Sequence, residues 1–293
     1  MITVSECDVT GKSKCKKTAY EIFSNVDELI KANKNREHKR GENHSTMTDL
    51  DNESWYQCKN YSEAEDLALN GWKGLIKEPE FANFYQNQKG YVDKMIRTKN
   101  DVVGFAPIVP NVIKGIPQCM INTDRKCVKS KVISIAYNIS CTAGISGEEI
   151  MQVGFKFMSA IVDLEKQGYR IKLTAIQDFS DCSKGCNLLI VNAKNEYKKL
   201  NIYSTMFTLT HTAMFRLIGF VWYEKSPICR EMCGYGRNYN REFGSYEYLR
   251  EDLRKILHDE NIVLINATDL ISCDDITIEQ IENMIIKDGK SYK

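Results

Sequence analysis

The stretch Val132-Ile133-Ser134-Ile135-Ala136-Tyr137 decides the fold, because it is short, nearly continuous in apolar side chains and partly β-branched. These features predict a buried strand of a mostly parallel sheet. A helix is predicted to follow it, beginning near Ser146 and ending at Gly168. The apolar residues of this helix recur at helical spacing: Ile150, Val153, Phe157, Ile161 and Leu164.

The next two apolar stretches predict a parallel strand and then an antiparallel one. Tyr169 to Ile176 alternates as a second strand, and a right-handed strand–helix–strand unit makes it parallel to the first. Leu188 to Val191 predicts a third strand. The turn 178–187 between them is too short for a crossover helix, so we expect a hairpin whose second arm is an antiparallel edge strand.

A fourth strand, Ile262 to Ile265, is predicted between two helices before it and one after it. The helices are predicted over Ile202–Tyr223, Tyr246–His258 and Thr277–Ile286. The predicted fold class is therefore α/β, with a mostly parallel four-stranded sheet, one antiparallel edge strand and flanking helices.

The residues ahead of this core divide into two predicted segments. Residues 1–52 hold an amphipathic helix over Ala19–Ile30 and then a mobile polar linker, in which His38 and His44 are predicted to be solvated. Residues 53–130 are predicted to be a helical and irregular segment that packs on the core. Residues 131–293 are the predicted α/β domain.

The composition excludes some classes of partner and suggests a compartment. Forty basic and 39 acidic side chains leave a net charge of +1, so no global field attracts nucleic acid or an anionic membrane. No apolar run approaches a membrane span, and no apolar signal stretch follows Met1, which predicts a cytoplasmic protein without membrane contact. Eleven cysteines in such a chain indicate thiols or metal ligands rather than disulfides.

Chain direction predicts where the connecting loops meet. If the strands run as assigned, the residues near 138, 182, 233 and 269 emerge at one edge of the sheet, where the parallel strands end. Ligands of open α/β sheets bind at this kind of edge.

The order of elements from Val132 to Ile286 resembles the von Willebrand factor A-type fold, in which an Asp-x-Ser-x-Ser motif after the first strand binds a divalent metal. The corresponding residues here are Asn138-Ile139-Ser140-Cys141-Thr142, and Asn266-Ala267-Thr268-Asp269 follows the fourth strand. The resemblance implies a degenerate Mg²⁺ site at Asn138, Ser140, Thr142 and Asp269. Asn in place of the first Asp removes a negative charge, and the alternative is that these side chains cap the next helix and satisfy turn backbone.

The chain is also similar to a group of tailed-phage and prophage proteins that have the same order of parts, a small helical N-terminal portion ahead of an A-type-like half. The similar stretches are Ser54-Trp55, the residues 63–72, Pro110-Asn111-Val112 with Gly115-Ile116-Pro117, and Val132–Gly168. This resemblance implies a phage or prophage origin and a place in the host cytoplasm or in the virion. It implies no activity.

Two cysteine pairs have spacing that suits a zinc site. Cys182 and Cys186 would lie at the same edge as Cys229 and Cys233, and four thiolates could hold one structural Zn²⁺. The alternative is separate, partly buried thiols.

The stretch from Lys225 to Gly244 is predicted to be a binding loop, because cations, rings and glycines alternate along it. Such residues dominate protein-interface hot spots and also suit phosphates and stacked bases. A protein partner, a nucleic-acid partner and a packed loop therefore remain alternatives. The predicted contact residues are Arg230, Tyr235, Arg237, Tyr239 and Arg241.

Phosphate-binding, nucleophile-elbow and zinc-protease motifs do not occur in the sequence. His211 lies in an apolar helical stretch and is predicted to be a core residue. We therefore predict a non-enzymatic module that binds a protein partner at the edge where the parallel strands end. A nucleic-acid-binding protein and a metal-dependent enzyme are the alternative predictions.

Overall fold

The structure is a computed structural model that describes residues 2–5, 18–38, 46–48, 53–77, 81, 98–123, 131–181, 185–229, 246–273 and 275–288. The strands are β1 Ile2–Ser5, β2 Thr18–Phe23, β3 Thr98–Asp101, β4 Ala106–Pro107, β5 Met120–Thr123, β6 Val132–Asn138, β7 Arg170–Asp181, β8 Gly185–Lys194 and β9 Val263–Asn266. The helices are α1 Val26–Asn35, α2 Glu53–Tyr56, α3 Tyr61–Asn70, α4 Val109–Ile113, α5 Gly147–Lys166, α6 Ile202–Thr210, α7 Gly219–Lys225, α8 Glu247–Leu257, α9 Ala267–Ser272 and α10 Ile278–Asp288.

A mostly parallel sheet flanked by helices forms the centre of the protein, in the order β1-β2-β8-β7-β6-β9. Strands β6, β7 and β9 are parallel, and β7 and β8 form the predicted antiparallel hairpin. The helix α5 that joins β6 to β7 begins with the capping box of Ser146 and Glu149. The strand–helix–strand unit and the hairpin are therefore confirmed.

The sheet has six strands rather than the predicted four, and β8 is internal rather than an edge strand. Strand β2 pairs in parallel with β8, and β1 pairs with β2 on the outside. The predicted helix over Ala19–Ile30 is wrong in its first half, which is β2, and right in its second half, which is α1. The reason is tertiary: the buried carboxylate of Glu21 accepts a 2.7 Å hydrogen bond from Trp222 Nε1 and contacts the Arg36 guanidinium.

The polar segment after α1 is packed where it is described, which corrects the predicted mobile linker at those positions. The His38 ring, predicted to be solvated, lies 3.2 Å from Glu224 Oε2 and is almost fully buried. The backbone N–H of Thr46 also donates to the Glu224 carboxylate, at 3.1 Å. A buried carboxylate needs donors, and this segment supplies them. His44 lies outside the described residues.

Two hydrophobic cores lie on opposite faces of the sheet, because alternate side chains of a strand point to opposite sides. Tyr137 on β6 belongs to the larger core, beneath α5 and α6, whereas Ala136 belongs to the smaller one. Helix α8 covers the smaller core with Leu249 and Leu253. The apolar face predicted for α5 is confirmed, since its residues Ile150, Phe157 and Ile161 are all buried.

The predicted helix Ile202–Tyr223 is interrupted. Helix α6 ends at Thr210, and a π-helical stretch, Met214–Ile218, continues directly into α7. The wide turn carries the buried Arg216 side chain. Gly219 closes the stretch against Gln177 of β7, where a Cβ atom would overlap Gln177 Oε1.

Residues 98–123 form a small lobe rather than the irregular chain predicted over Val102–Lys126. Its strands β3, β5 and β4 make an antiparallel sheet, and α4 follows β4. The prolines are compatible with this structure because Pro107 ends a two-residue outer strand and Pro110 lies in the first turn of α4.

Candidate functional site

Strands β6 and β9 end together, beside β7, which runs on to Asp181, at a rim that we call the carboxyl edge. Asn138, the last residue of β6, is paired with Ile176 of β7 on one side and with Asn266 of β9 on the other. The prediction that Asn138 and the residues after the fourth strand are neighbours is confirmed. Positions 182 and 233, which were predicted to lie beside them, are outside the described residues.

Asn138 is fully buried and forms the centre of a hydrogen-bond network. Its Nδ2 donates to Asp178 Oδ1 at 2.9 Å and to Asn266 Oδ1 at 3.3 Å. Its Oδ1 accepts from the backbone N–H of Ser140 at 3.0 Å. One side chain thus connects β6, β7, β9 and the loop that follows β6.

The Ser140 hydroxyl ties that loop to β7. It accepts from the backbone N–H of Asp178 at 2.8 Å and lies 3.4 Å from the Asp178 carbonyl oxygen. The Thr268 hydroxyl, in turn, donates to the Ser140 carbonyl at 3.0 Å. The start of the loop and the first turn of α9 are therefore fixed to each other.

The second carboxylate of the network is also bonded to an amide. Asp269 Oδ2 accepts from Asn266 Nδ2 at 2.9 Å. Each of the two carboxylates, Asp178 and Asp269, therefore receives an N–H from an asparagine of a neighbouring strand end.

In this arrangement the side-chain atoms that would coordinate a divalent cation are engaged with one another, and the degenerate Mg²⁺ site at Asn138, Ser140, Thr142 and Asp269 stays a prediction. The Asn138 nitrogen directs its hydrogens at Asp178 and Asn266, the oxygen-bearing groups that a hard cation would require. Ser140 uses its hydroxyl on β7, and within the described residues Thr142 shares no hydrogen bond with the network. No group of three His, Cys, Asp or Glu side chains in the described parts of the chain is arranged to hold a metal ion.

Burial suppresses the acid–base chemistry of the two side chains nearest the network. Burial raises the pKa of the Cys141 thiol to about 11, so it stays protonated at neutral pH. Burial also raises the pKa of Tyr246 well above its usual range, and the nearby carboxylates of Asp178 and Asp269 raise it further. Neither residue is prepared to act as a nucleophile or a base.

His211 is a core residue, as predicted. Burial lowers its pKa to about 4, and its Nδ1 accepts from the backbone N–H of Ala213 at 3.1 Å. Its ring packs edge-on against Trp72, with 4.7 Å between the ring centroids.

The predicted zinc ligands are only partly described. Cys186 is buried in the smaller core and Cys229 in the larger one, on opposite faces of the sheet. Cys182 and Cys233 lie outside the described residues, so the four-cysteine zinc site stays a prediction.

The predicted binding loop, Lys225–Gly244, is described only up to Cys229, where it is the end of α7 and a short 3₁₀ turn. Residues 230–245 lie outside the described residues, and so do all five predicted contacts: Arg230, Tyr235, Arg237, Tyr239 and Arg241. The structure does place the two ends of this loop. Cys229 ends a short 3₁₀ turn, Pro227–Cys229, and this turn contacts β2. The first residue of β2 is paired with Cys186, near the carboxyl edge. Tyr246 lies beside Asp178 and Asp269. Both ends of the loop are thus at or near that edge.

Sequence reasoning missed the exposed apolar side chains of the lobe 98–123. Val103 is 73% exposed, Phe105 68% and Ile113 80%. Exposed apolar side chains that form a contiguous patch mark interaction sites, so this lobe is a second candidate surface. The signal in the sequence was a run of valine, isoleucine and phenylalanine without periodicity, in a segment assigned as irregular.

Comparison with known proteins gives one match, to a protein family. A family model described as "Domain of unknown function (DUF7192)" matches residues 6–286. No curated protein and no solved structure matches the chain. No helix within the described residues combines the length and apolar character needed to cross a membrane.

Proposed function

The chain belongs to the DUF7192 family, and we propose that it is a non-enzymatic module that binds a protein partner through its carboxyl edge. The observation that carries this proposal is the self-satisfied network around Asn138. It fixes three strands and two loops without leaving a poised nucleophile, a base or a cation site among the described residues. A fixed rim of this kind suits recognition better than chemistry.

The loop 230–245 supplies the contacts in this proposal. Its ends lie at or near the edge, since the 3₁₀ turn before it contacts β2 and Tyr246 after it is close enough to Asp178 and Asp269 for their charges to raise its pKa. Its sequence contains three arginines and two tyrosines, the residue types that are enriched at interface hot spots. We infer that Arg237 and Arg241, with Arg230, Tyr235 and Tyr239, contact the partner.

A von Willebrand factor A-like arrangement and a phage or prophage origin are also part of this proposal. The parallel strands β6, β7 and β9, with loops converging at their carboxyl ends, support the first. The stretches quoted above support the second, with a location in the host cytoplasm or the virion. A gene located among phage genes would support this origin, and a locus without phage genes would count against it.

A photo-crosslinking experiment tests the site. The full chain carries a photoreactive amino acid at Ala143, which is exposed in the loop after β6, or at Lys198, which is exposed beyond the far end of β8. We expect a covalent adduct with one protein from Ala143, and none from Lys198. The reverse pattern would contradict the proposal.

Charge reversal identifies the contacts. We expect R237E/R241E to abolish capture of the crosslinked protein, whereas F105S on the apolar lobe leaves it unchanged. Retained capture by R237E/R241E, or loss of capture only in F105S, would move the binding surface away from the carboxyl edge.

The salt dependence of binding distinguishes a nucleic-acid-binding protein, the main alternative, from the module proposed here. A nucleic-acid-binding protein would bind a labelled oligonucleotide with an affinity that falls steeply as salt increases. We expect no such binding by the wild-type chain, and a steep salt response that disappears in R237E/R241E would replace the protein-partner proposal.

A further inference from the structure

A polar pocket of about 300 Å³ lies at the opposite rim of the sheet. It is formed where the parallel pair β2 and β8 ends, since Phe23 of β2 is paired with Val191 of β8 and the pocket reaches Asn192 and Ala193. For this pair of strands the rim is again the carboxyl end, the position at which open α/β sheets bind ligands.

Two helix caps supply hydrogen-bond donors to the pocket. Asn25 caps α1 through its Oδ1, which accepts from Glu28 N at 3.0 Å, and Asn201 caps α6 in the same way, from Ser204 N at 3.3 Å. In both cases the cap uses only the oxygen. Within the described residues the two Nδ2 groups have no other partner, so they remain available to a ligand in the pocket.

A third asparagine supplies an acceptor, whereas Asn192 only lines the pocket. The Asn192 nitrogen donates to the carbonyls of Leu173 and Lys194, each at 3.2 Å, and its oxygen faces donors of the protein, so both ends of this amide are engaged. The Asn70 nitrogen donates to Asp66 Oδ1 at 2.6 Å, which leaves its oxygen available. The pocket thus presents amide donors and an amide acceptor side by side.

The wall between α3 and α6 is rigid. Gly71 has a φ of 80°, and a Cβ there would lie 2.9 Å from the Cβ of Tyr203. The Trp72 N–H also donates to the Tyr203 carbonyl at 3.3 Å. The close approach of the two helices therefore preorganises this side of the pocket.

The described lining selects a class of ligand. It contains one carboxylate, Asp27, and neither a basic nor an aromatic side chain, which disfavours phosphate esters and flat bases. Small apolar groups of Val26, Ala68 and Ala193 complete it. Neighbouring amide donors and an amide acceptor with small apolar patches match the hydroxyls and C–H groups of a sugar ring.

We propose that this pocket binds a neutral, hydroxyl-rich small molecule of monosaccharide size, held by Asn25, Asn70 and Asn201. The site is separate from the carboxyl edge of β6, β7 and β9 and does not depend on the function proposed for that edge. The volume lies at the lower end of the range for ligand sites, so a single ring rather than a long oligosaccharide occupies it.

Saturation-transfer NMR on the full chain tests the proposal, with glucose, galactose, mannose, ribose and N-acetylglucosamine as probes at millimolar concentration. We expect at least one of these sugars to bind. The variants N25D and N201D retain the capping oxygen but replace the pocket donor, so each should weaken that sugar about tenfold. N60D is the matched control, because Asn60 caps α3 through the same type of bond away from the pocket.

Thermal unfolding of all three variants should remain close to that of the wild type, since every cap keeps its acceptor. Three outcomes would overturn the proposal. These are no saturation transfer from any sugar, equal binding in N25D, N201D and N60D, and tighter binding of glucose 6-phosphate than of glucose.

Discussion

The Asn138 amide nitrogen donates a 2.9 Å hydrogen bond to Asp178 Oδ1 in the buried rim of the sheet. In the A-type motif that this segment resembles, the first position is a carboxylate that requires a cation beside it. Here an amide occupies that position, adds no charge and satisfies the neighbouring carboxylate by donating a hydrogen bond to it. The rim is therefore expected to be stable without metal.

Asn138→Asp tests this relationship. The new carboxylate would face Asp178 and Asn266 Oδ1 instead of donating to them, so we expect the free energy of unfolding to fall by about 2–4 kcal/mol in EDTA. Added Mg²⁺ should restore part of the loss in N138D, but not in N138A. Thermal denaturation with and without Mg²⁺ measures both, and a wild-type chain that itself responds to Mg²⁺ would contradict our account.

Local sequence patterns predicted the part of the fold that depends on short-range order. The strand β6, the helix α5 with its capping box and the strand β7 follow one another, and each has a clear apolar period. Chain direction then brought Asn138 and Asp269 to one edge. The bonding role of Asp178 was not predicted, because it depends on which rotamers meet at the ends of two paired strands.

The elements that sequence reasoning missed depend on distant partners. Strand β2 is polar at Glu21, and that carboxylate is buried because it bonds to Trp222, 201 residues away, as well as to Arg36 and Ser226. The ring of His38 is buried because Glu224, 186 residues away, lies beside it. The helical spacing of the apolar residues in β2 is real, but pairing with β8 overrides it.

Gly219 should tolerate no side chain. A Cβ atom there would overlap Gln177 Oε1, and Gln177 is held because its Nε2 donates to the Phe215 carbonyl at 2.9 Å. We expect G219A to reduce the free energy of unfolding by about 2–3 kcal/mol in urea titrations. In a Q177A background the same substitution should be less costly.

Gly144 is the matched control, because a Cβ there meets nothing within 4 Å. G144A should change the stability by less than about 0.5 kcal/mol. Equal losses in G144A and G219A would show that the π-helical stretch is not packed against β7 as described.

Cys141 should resist alkylation. With a pKa of about 11 only about one thiol in a thousand is ionised near pH 8, and the side chain is largely covered. Cys273 is exposed in the loop after α9 and, of the six cysteines that the structure describes, should react first with iodoacetamide. Peptide mass spectrometry over time gives the order, and rapid labelling of Cys141 in the native protein would contradict its buried environment.

Arg216 should not be replaceable by lysine. Its guanidinium is 1% exposed, donates to the Trp55 carbonyl at 3.1 Å and to the Ile145 carbonyl at 2.5 Å, and lies over the Trp55 ring. A compact ammonium cannot span two carbonyls on separate segments. We expect R216K to lower the free energy of unfolding by about 2–3 kcal/mol.

Arg170 provides the comparison, since it is exposed and only stacks over Tyr197, at 5.8 Å from the ring centroid. R170K should leave the urea midpoint almost unchanged. If R216K were as stable as R170K, the two carbonyl bonds would not contribute to the fold.

The buried His211 ring should make the protein sensitive to mild acid. Its pKa is about 4 in the folded chain and near 6.5 when unfolded, so the unfolded state binds the proton first as the pH falls. The contribution of the neutral ring is present in full above about pH 6.5 and is lost progressively down to about pH 4, up to about 3 kcal/mol. H211N offers an oxygen to the Ala213 N–H but does not titrate.

Urea unfolding of both proteins at about pH 7 and about pH 4.5 separates this effect from that of the carboxylates, which the two chains share. We expect H211N to be less stable than the wild type at neutral pH, because it loses the contacts of the ring with Trp72 and Phe207. Its stability should nevertheless fall less on acidification. If the free energies of unfolding of the two proteins fell by the same amount on acidification, His211 would take up its proton in the folded protein at no cost. That result would contradict its burial between these two rings.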